Sequence, residues 1–192
     1  GIKGYLGNLK GIKSVYKNIK PDVVHVHYSL SAILTTMAGI RPEVVSLMGS
    51  DVKTKAYFKL FLWIFYKFFW ALTIVKSDDL KKSLKFKNVY IIPNGVDISK
   101  FKPLCKNACQ VKIRWESNRV NILFAAEPSK YVKNYDLARN SIAKLQKDTI
   151  ELHTLTDVPH NEIPLLMNTA DIVLLTSLWE GSPNVIKEAM AC

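Results

Sequence analysis

Cysteine is scarce in this chain, with 3 residues in 192. Two of them form Cys105-x3-Cys109. An odd count with no metal partners at ligand spacing argues against a disulfide framework or a zinc module and reads as reduced thiols. Carboxylates are short too: 16 Asp+Glu stand against 27 Lys+Arg, a formal net charge of +11. That surplus calls for an acidic partner, whether nucleic acid, an anionic membrane surface or phosphorylated small molecules. A basic-region helix, zinc-finger spacing and RNP-type aromatics are all missing, which sets nucleic acid aside. There is no internal repeat, no low-complexity tract and no signal-peptide pattern. The opening Gly1-Ile2-Lys3-Gly4 lacks an initiator Met and a first strand, and Met190-Ala191-Cys192 falls where a helix should lead into another strand. Both ends read as cut.

What the chain does have is apolar content: 48% hydrophobic residues, enough for a globular core. Short apolar runs alternate with amphipathic ones. Strands are expected at 22–27, 43–48, 71–75, 89–92, 120–126, 150–155 and 171–176. Helices are expected at 30–38 (stopped by Gly39), 54–69, after the cap Ser77, and at 134–147, 160–169 and 183–191. Residues 101–118 show no firm periodicity and read as a linker. The alternation predicts parallel sheets covered on both faces.

The run 56–75 is strongly aromatic, but Lys59 and Lys67 interrupt it. On a helical wheel Lys55, Lys59, Tyr66 and Lys67 share one side. Three readings stay open: a packed helix with its aromatic face in the core, the same helix also touching a membrane surface, or a true span.

The most informative stretch is 170–192. An apolar strand enters the turn Glu180-Gly181-Ser182-Pro183-Asn184, and a helix follows carrying Glu188. Ser182 is a good N-cap and Pro183 suits a first helical position. Free N–H groups and the helix dipole there suit a phosphate, and carboxylates flanking the turn suit sugar hydroxyls. A nucleotide sugar presents both.

This pattern resembles the Glu-x7-Glu signature of the retaining glycosyltransferases of family 4, which have the GT-B fold. Other segments resemble the same family in the same order: Pro21-Asp22-Val23-Val24-His25-Val26-His27, Met48-Gly49-Ser50-Asp51 (Met replacing the usual His), Pro93-Asn94-Gly95-Val96-Asp97 with Phe101-Lys102-Pro103, and Ile122–Ala126 followed by Lys133-Asn134. The resemblance covers the chain from Lys20 to Cys192.

It implies an α/β protein of two Rossmann-like parallel-sheet domains, both incomplete. Residues 1–105 would be the acceptor-side domain and 106–192 the nucleotide-sugar-binding domain. It implies transfer of a sugar from a nucleoside diphosphate sugar to an acceptor hydroxyl with retention, in bacterial cell-surface polysaccharide or lipopolysaccharide synthesis. Catalytic roles fall on His27 and Glu180. Lys130, Lys133, Glu180, Gly181, Ser182, Asn184 and Glu188 would bind the donor, with Glu180 on the transferred sugar and Glu188 on the ribose. His27, Gly49 and Asp51 would lie on the acceptor side.

No cofactor and no metal are implied. The partners are the donor, a glycan or lipid-linked acceptor and an anionic membrane surface, with no nucleic acid. The implied location is cytoplasmic, peripheral at the inner face of the plasma membrane. One departure stands out: the family's Arg after the first donor-domain strand is absent, Glu127 is near its place, and Lys130 is the substitute cation. Two other readings remain: an inactive fragment that keeps the fold, or a basic membrane-surface binding protein.

Overall fold

The computed structural model describes residues 2–52, 55–145 and 147–192. The chain divides into two compact units, Gly1–Asn94 and Gly95–Cys192.

The first unit runs α1 (Ile2–Gly7), α2 (Leu9–Ile19), β1 (Val24–His27), α3 (Ser29–Met37), β2 (Glu43–Leu47), α4 (Ala56–Phe68), β3 (Leu72–Val75), α5 (Asp78–Leu84) and β4 (Val89–Ile91). Its sheet has the order β1-β2-β3-β4, every pair parallel. Alternation along the strands sends Val26, Val45, Leu47, Val75 and Val89 to one side. There they meet Ala32 and Ile33 of α3, Leu62 of α4, and Leu80 and Leu84 of α5. The opposite side carries His25, His27, Ser46 and Ile74.

Local chemistry sets the helix ends. Gly39 takes φ +79 just after α3, where a left-handed residue ends a helix at little cost. Ser77 caps α5, its Oγ accepting from the Leu80 N–H at 3.4 Å. One buried polar network crosses the unit: the hydroxyl of Thr36 donates to the Glu43 carboxylate at 2.5 Å and accepts from the Trp70 indole N–H at 3.1 Å.

The second unit contains α6 (Lys106–Ile113), β5 (Val120–Phe124), a 3-10 turn (Tyr131–Lys133), α7 (Tyr135–Ala143), β6 (Ile150–Thr154), α8 (Ile163–Thr169), β7 (Ile172–Leu174) and α9 (Asn184–Ala191). The sheet order is β6-β5-β7, again parallel. Successive residues of β5 point to opposite faces. Leu123 packs with Leu166, Met167 and Val173, whereas Phe124 packs with Ala138, Leu152 and Leu174. The strand is therefore covered on both sides, as the apolar run Ile122–Ala126 requires.

Several expectations change. Residues 101–118 are not a linker throughout, because they contain α6, which buries Cys109 and packs on α8. The segment 95–105, expected with the first domain, belongs to the second unit. Phe101 is 2% exposed in the second core, and Asn168 on α8 grips the following residues. Its Oδ1 accepts from the Leu104 N–H at 2.7 Å, and its Nδ2 donates to the carbonyls of Lys102 and Pro164 at 3.1 and 2.9 Å. Helices α1 and α2 were not anticipated. The start expected for α4 at Thr54 lies outside the described residues.

The orientation of α4 is the largest reversal. Leu62 is buried, with Phe58, Phe65 and Tyr66 packed half-buried beside it. Tyr57, Leu60, Phe61, Ile64 and Phe68 face solvent. The side bearing Lys59 and Tyr66 is the attached one: Lys59 Nζ donates to the Ser83 carbonyl and hydroxyl at 3.1 and 2.9 Å, and Tyr66 stacks on Phe86 with centroids 4.4 Å apart. Lysine stems lie along apolar surface while their heads find polar partners. Among the described residues no helix is long and apolar enough to cross a membrane.

The Asn168 bridge makes a stability prediction. Asn168→Ala removes the side-chain partner of the Leu104 N–H and of the Lys102 carbonyl, so urea unfolding should report a loss of about 1–3 kcal/mol. An unchanged midpoint would show that the bridge does not anchor residues 102–104.

Candidate functional site

The residues expected to bind the donor lie on the segments that follow the carboxyl ends of β5 and β7. The chain leaves β5 through Ala125 and Ala126, turns at Glu127–Lys130 and enters the 3-10 turn ending in Lys133. Asn134 then takes φ +51, a left-handed geometry Asn tolerates well, and α7 begins. The loop after β7 is tied to this turn. Thr176 Oγ1 donates to the carbonyls of Lys133 and Asn134 at 3.1 and 2.9 Å, and the Leu178 N–H donates to the Val132 carbonyl at 2.9 Å.

This backbone stitching brings Lys133 and Glu180 together. Lys133 Nζ lies 2.6 Å from Glu180 Oε1, with the side chains 23% and 26% exposed. A lysine has three donors, so the ammonium can hold Glu180 and still offer N–H groups to another anion. Glu180 in turn keeps acceptor capacity for hydroxyl donors.

The turn into α9 differs in detail from the sequence expectation. Pro183, with ψ 109, sits at the cap position and the helix starts at Asn184. Ser182 does not cap it, because its hydroxyl accepts from Lys187 Nζ at 2.9 Å. Lys187 therefore brings a second ammonium to this turn. Glu188 lies half-buried on α9. Gly181 is half-buried and Asn184 exposed. Lys130 is exposed, and the Glu127 carboxylate accepts from the Ser129 N–H at 3.4 Å.

In the first unit, His27 is exposed at the carboxyl end of β1, with the His25 ring 4.4 Å away. Asp51 is buried, and its carboxylate is engaged with backbone. It accepts from the N–H groups of Ser29 at 2.9 Å, Met48 at 3.0 Å and Gly49 at 2.8 Å. Gly49 itself takes φ +128, which a side chain would strain. Asp51 thus organises the loop and the start of α3 beside His27.

Sequence reasoning passed over Thr176, Lys187, Ser46 and Lys76. Thr176 had a readable signal, a polar residue ending an apolar strand. Lys76 had none, since a lysine beside a helix cap reads as solvated, yet here it is 7% exposed.

Comparison with known proteins finds similar sequences and folds. Residues 2–83 match the family described as glycosyl transferase 4-like. A curated Escherichia coli protein, UDP-Gal:alpha-D-GlcNAc-diphosphoundecaprenol alpha-1,3-galactosyltransferase, is 27% identical over 96% of the chain. Sucrose-phosphate synthase from Thermosynechococcus elongatus superposes with a TM-score of 0.75 at 14% identity, over 96% of this chain and 57% of the synthase. Anabaena HepE, solved in complex with UDP and glucose, gives 0.68 at 16% identity, over 94% of this chain and 60% of HepE.

The likeness to the glycosyl transferase 4-like proteins is carried by residues 2–83. The chain's α/β architecture with parallel sheets is that of the GT-B glycosyltransferases. The chain spans 60% of the length of the Escherichia coli relative. The family-matched segment contains His27, Gly49 and Asp51, while Lys133, Glu180 and Glu188 belong to the second unit.

The His25 imidazole, exposed but partly withdrawn from water, is held below its ordinary value of 6.5, first by that partial desolvation and then by its positive neighbours His27 and Lys76. The folded protein therefore binds fewer protons here than the unfolded chain does just below pH 6.5, so this group's contribution to stability falls as pH drops through that range. Proton NMR should place the His25 midpoint below that of His25 in the urea-unfolded chain. A midpoint at or above the unfolded value would contradict the positive surroundings.

Proposed function

We propose that the protein is a retaining glycosyltransferase that moves a hexose from a UDP-sugar to a hydroxyl of a lipid-diphosphate-linked glycan. The carrying observation is the Lys133–Glu180 pair at the strand ends, beside the turn that leads to Glu188. Lys133 supplies positive charge to the diphosphate, where negative charge builds as the leaving group departs. Glu180 accepts from hydroxyls of the transferred sugar, and Glu188 from the ribose. Gly181, Ser182 and Asn184 offer backbone N–H groups at the same turn, and Lys130 adds a nearby cation. His27, Gly49 and Asp51 are assigned to the acceptor side.

In the reaction the anomeric carbon–oxygen bond to the diphosphate breaks and a bond to the acceptor oxygen forms on the same face. The acceptor proton passes to the departing phosphate oxygen, and UDP leaves. The charge role belongs to lysine and N–H groups, so no divalent metal is needed. The Escherichia coli relative is named for a UDP-galactose donor and a diphosphoundecaprenol acceptor, and HepE was solved with UDP and glucose, which supports the choice of base and acceptor class. A bacterial surface glycan made at the inner face of the plasma membrane fits that chemistry.

The ion pair sharpens the expected mutant behaviour. Lys133→Ala should weaken UDP binding by about 1.5–3 kcal/mol in titration calorimetry, the worth of a charge-assisted contact. Glu188→Gln should also weaken UDP. Glu180→Gln should leave UDP affinity unchanged or tighter, because it frees Lys133 and removes a carboxylate, while transfer drops. Equal losses of UDP affinity for Glu180→Gln and Glu188→Gln would defeat this division of roles. An inactive fragment that keeps the fold would show no transfer and only weak UDP binding.

The outward face of α4 supports a second element of the reading, contact with an anionic membrane. Tyr57, Leu60 and Phe68 are 70%, 65% and 68% exposed, and Lys55 and Lys67 beside them are exposed as well. Aromatic residues favour the headgroup region, and each nearby lysine adds roughly 1 kcal/mol of attraction to an anionic surface. Lys59 is committed to Ser83 and plays no part. Phosphatidylglycerol vesicles should sediment the protein at low salt. Lys55→Gln with Lys67→Gln should flatten the salt dependence, and Phe61→Ser with Phe68→Ser should remove binding. Binding indifferent to both pairs of changes would exclude α4 as the contact.

A further inference from the structure

The sheet of the first unit gathers two imidazoles, a hydroxyl and an ammonium toward the carboxyl ends of β1, β2 and β3, on the face opposite its hydrophobic core. Period-two alternation puts His25 and His27 on that face. The register sets Ser46 beside His27 and Ile74 beside Ser46. Lys76, two residues past Ile74, continues the row.

Side-chain contacts close the cluster. His25 Nε2 lies 2.9 Å from Ser46 Oγ, Lys76 Nζ lies 3.4 Å from the same oxygen, and the two imidazole rings are 4.4 Å apart. Ser46 is fully buried and Lys76 is 7% exposed, whereas both imidazoles are open to solvent. The cluster is therefore a buried cation and hydroxyl roofed by two exposed imidazoles.

Its polarity follows from the donor inventory. Lysine can only donate, so Ser46 Oγ accepts from Lys76 and can pass its own hydroxyl proton to His25 Nε2. That chain leaves the Nδ1–H of His25 as a donor. Asp51, the carboxylate on the loop after β2, is engaged by three backbone N–H groups. Open parallel sheets bind ligands beyond the carboxyl ends of their strands, which is where these groups stand.

We propose that His25, His27, Ser46 and Lys76 form a diphosphate-binding subsite for the acceptor. This deepens the glycosyltransferase reading and rests on it for the identity of the ligand. The chemistry recognised is a pair of linked phosphoryl groups, with Lys76 and Ser46 at the base and the imidazoles on the outer oxygens. The source is the diphosphate of a prenyl-linked acceptor. The lowered proton affinity of His25 agrees, since a bound dianion would reverse the influence of its positive neighbours.

The test is a proton NMR titration of the full chain, following the His25 and His27 ring signals with UDP held at saturation so that the donor loop is filled. Geranyl diphosphate and inorganic pyrophosphate are expected to move both signals and to raise the His25 midpoint. UDP alone, inorganic phosphate at matched concentration and a short-chain soluble phosphatidylglycerol should move them little. Lys76→Met should weaken pyrophosphate roughly tenfold or more, as loss of a charge-assisted contact implies. His25→Gln at an exposed position guards against a folding defect and should weaken it several-fold.

Unmoved imidazoles, or shifts of equal size with phosphatidylglycerol or inorganic phosphate, overturn the proposal. UDP affinity measured in the same samples reports on the donor reading separately. UDP binding with silent imidazoles removes only this subsite, and absent UDP binding removes the donor assignment whatever the imidazoles do.

Discussion

Parallel strand pairing is the constraint on which the other features depend. A parallel neighbour cannot be reached by a tight turn, so each connection must travel back along the sheet, and helices do this here. All carboxyl ends then lie along one edge of each sheet. The loops leaving that edge are the free variables of the fold. In the second unit they bring Lys133, after β5, against Glu180, after β7, across 47 positions of sequence. In the first they set His27, Asp51 and Lys76 at the ends of successive strands.

The Lys133–Glu180 pair gives these two loops a resting state in which the cation already has a counter-ion. A bare phosphate must compete with Glu180 for the ammonium. A ligand that presents a diphosphate to Lys133 and hydroxyls to Glu180 satisfies both partners. Discrimination of this kind needs no extra residue, because an unmatched ligand leaves a half-buried charge poorly paired. Lys187 and Ser182 add a similar contact on the other side of the turn.

Much of this was legible because it is local. Alternating apolar runs located the strands of both sheets, and Gly39 and Ser77 marked helix ends through chemistry that acts within a few residues. The motif around Glu180 and Glu188 marked the turn between β7 and α9. What escaped depends on distance. Helix α6 has weak amphipathicity and only Cys109 to bury, so its packing on α8 decides its existence. The boundary moved because Asn168 reaches back to residues 102–104. The direction in which α4 faces was hidden since both sides are aromatic, and Ser83 and Phe86 on a later element choose the attached side. The burial of Lys76 is a property of three neighbouring strands and leaves no trace in its own surroundings in sequence.

The outward stripe of α4 also has a bearing on how the protein behaves at high concentration. Exposed Tyr57, Leu60, Phe61, Ile64 and Phe68 form an apolar strip that water covers poorly. A net charge of +11 keeps molecules apart as long as their fields reach one another. At 1 M ionic strength the screening length falls to about 3 Å and that repulsion fades while hydrophobic attraction does not. Solubility should then be set by salt in the unusual sense that dilute buffers keep the chain dispersed and concentrated ones drive it to self-associate through one helix.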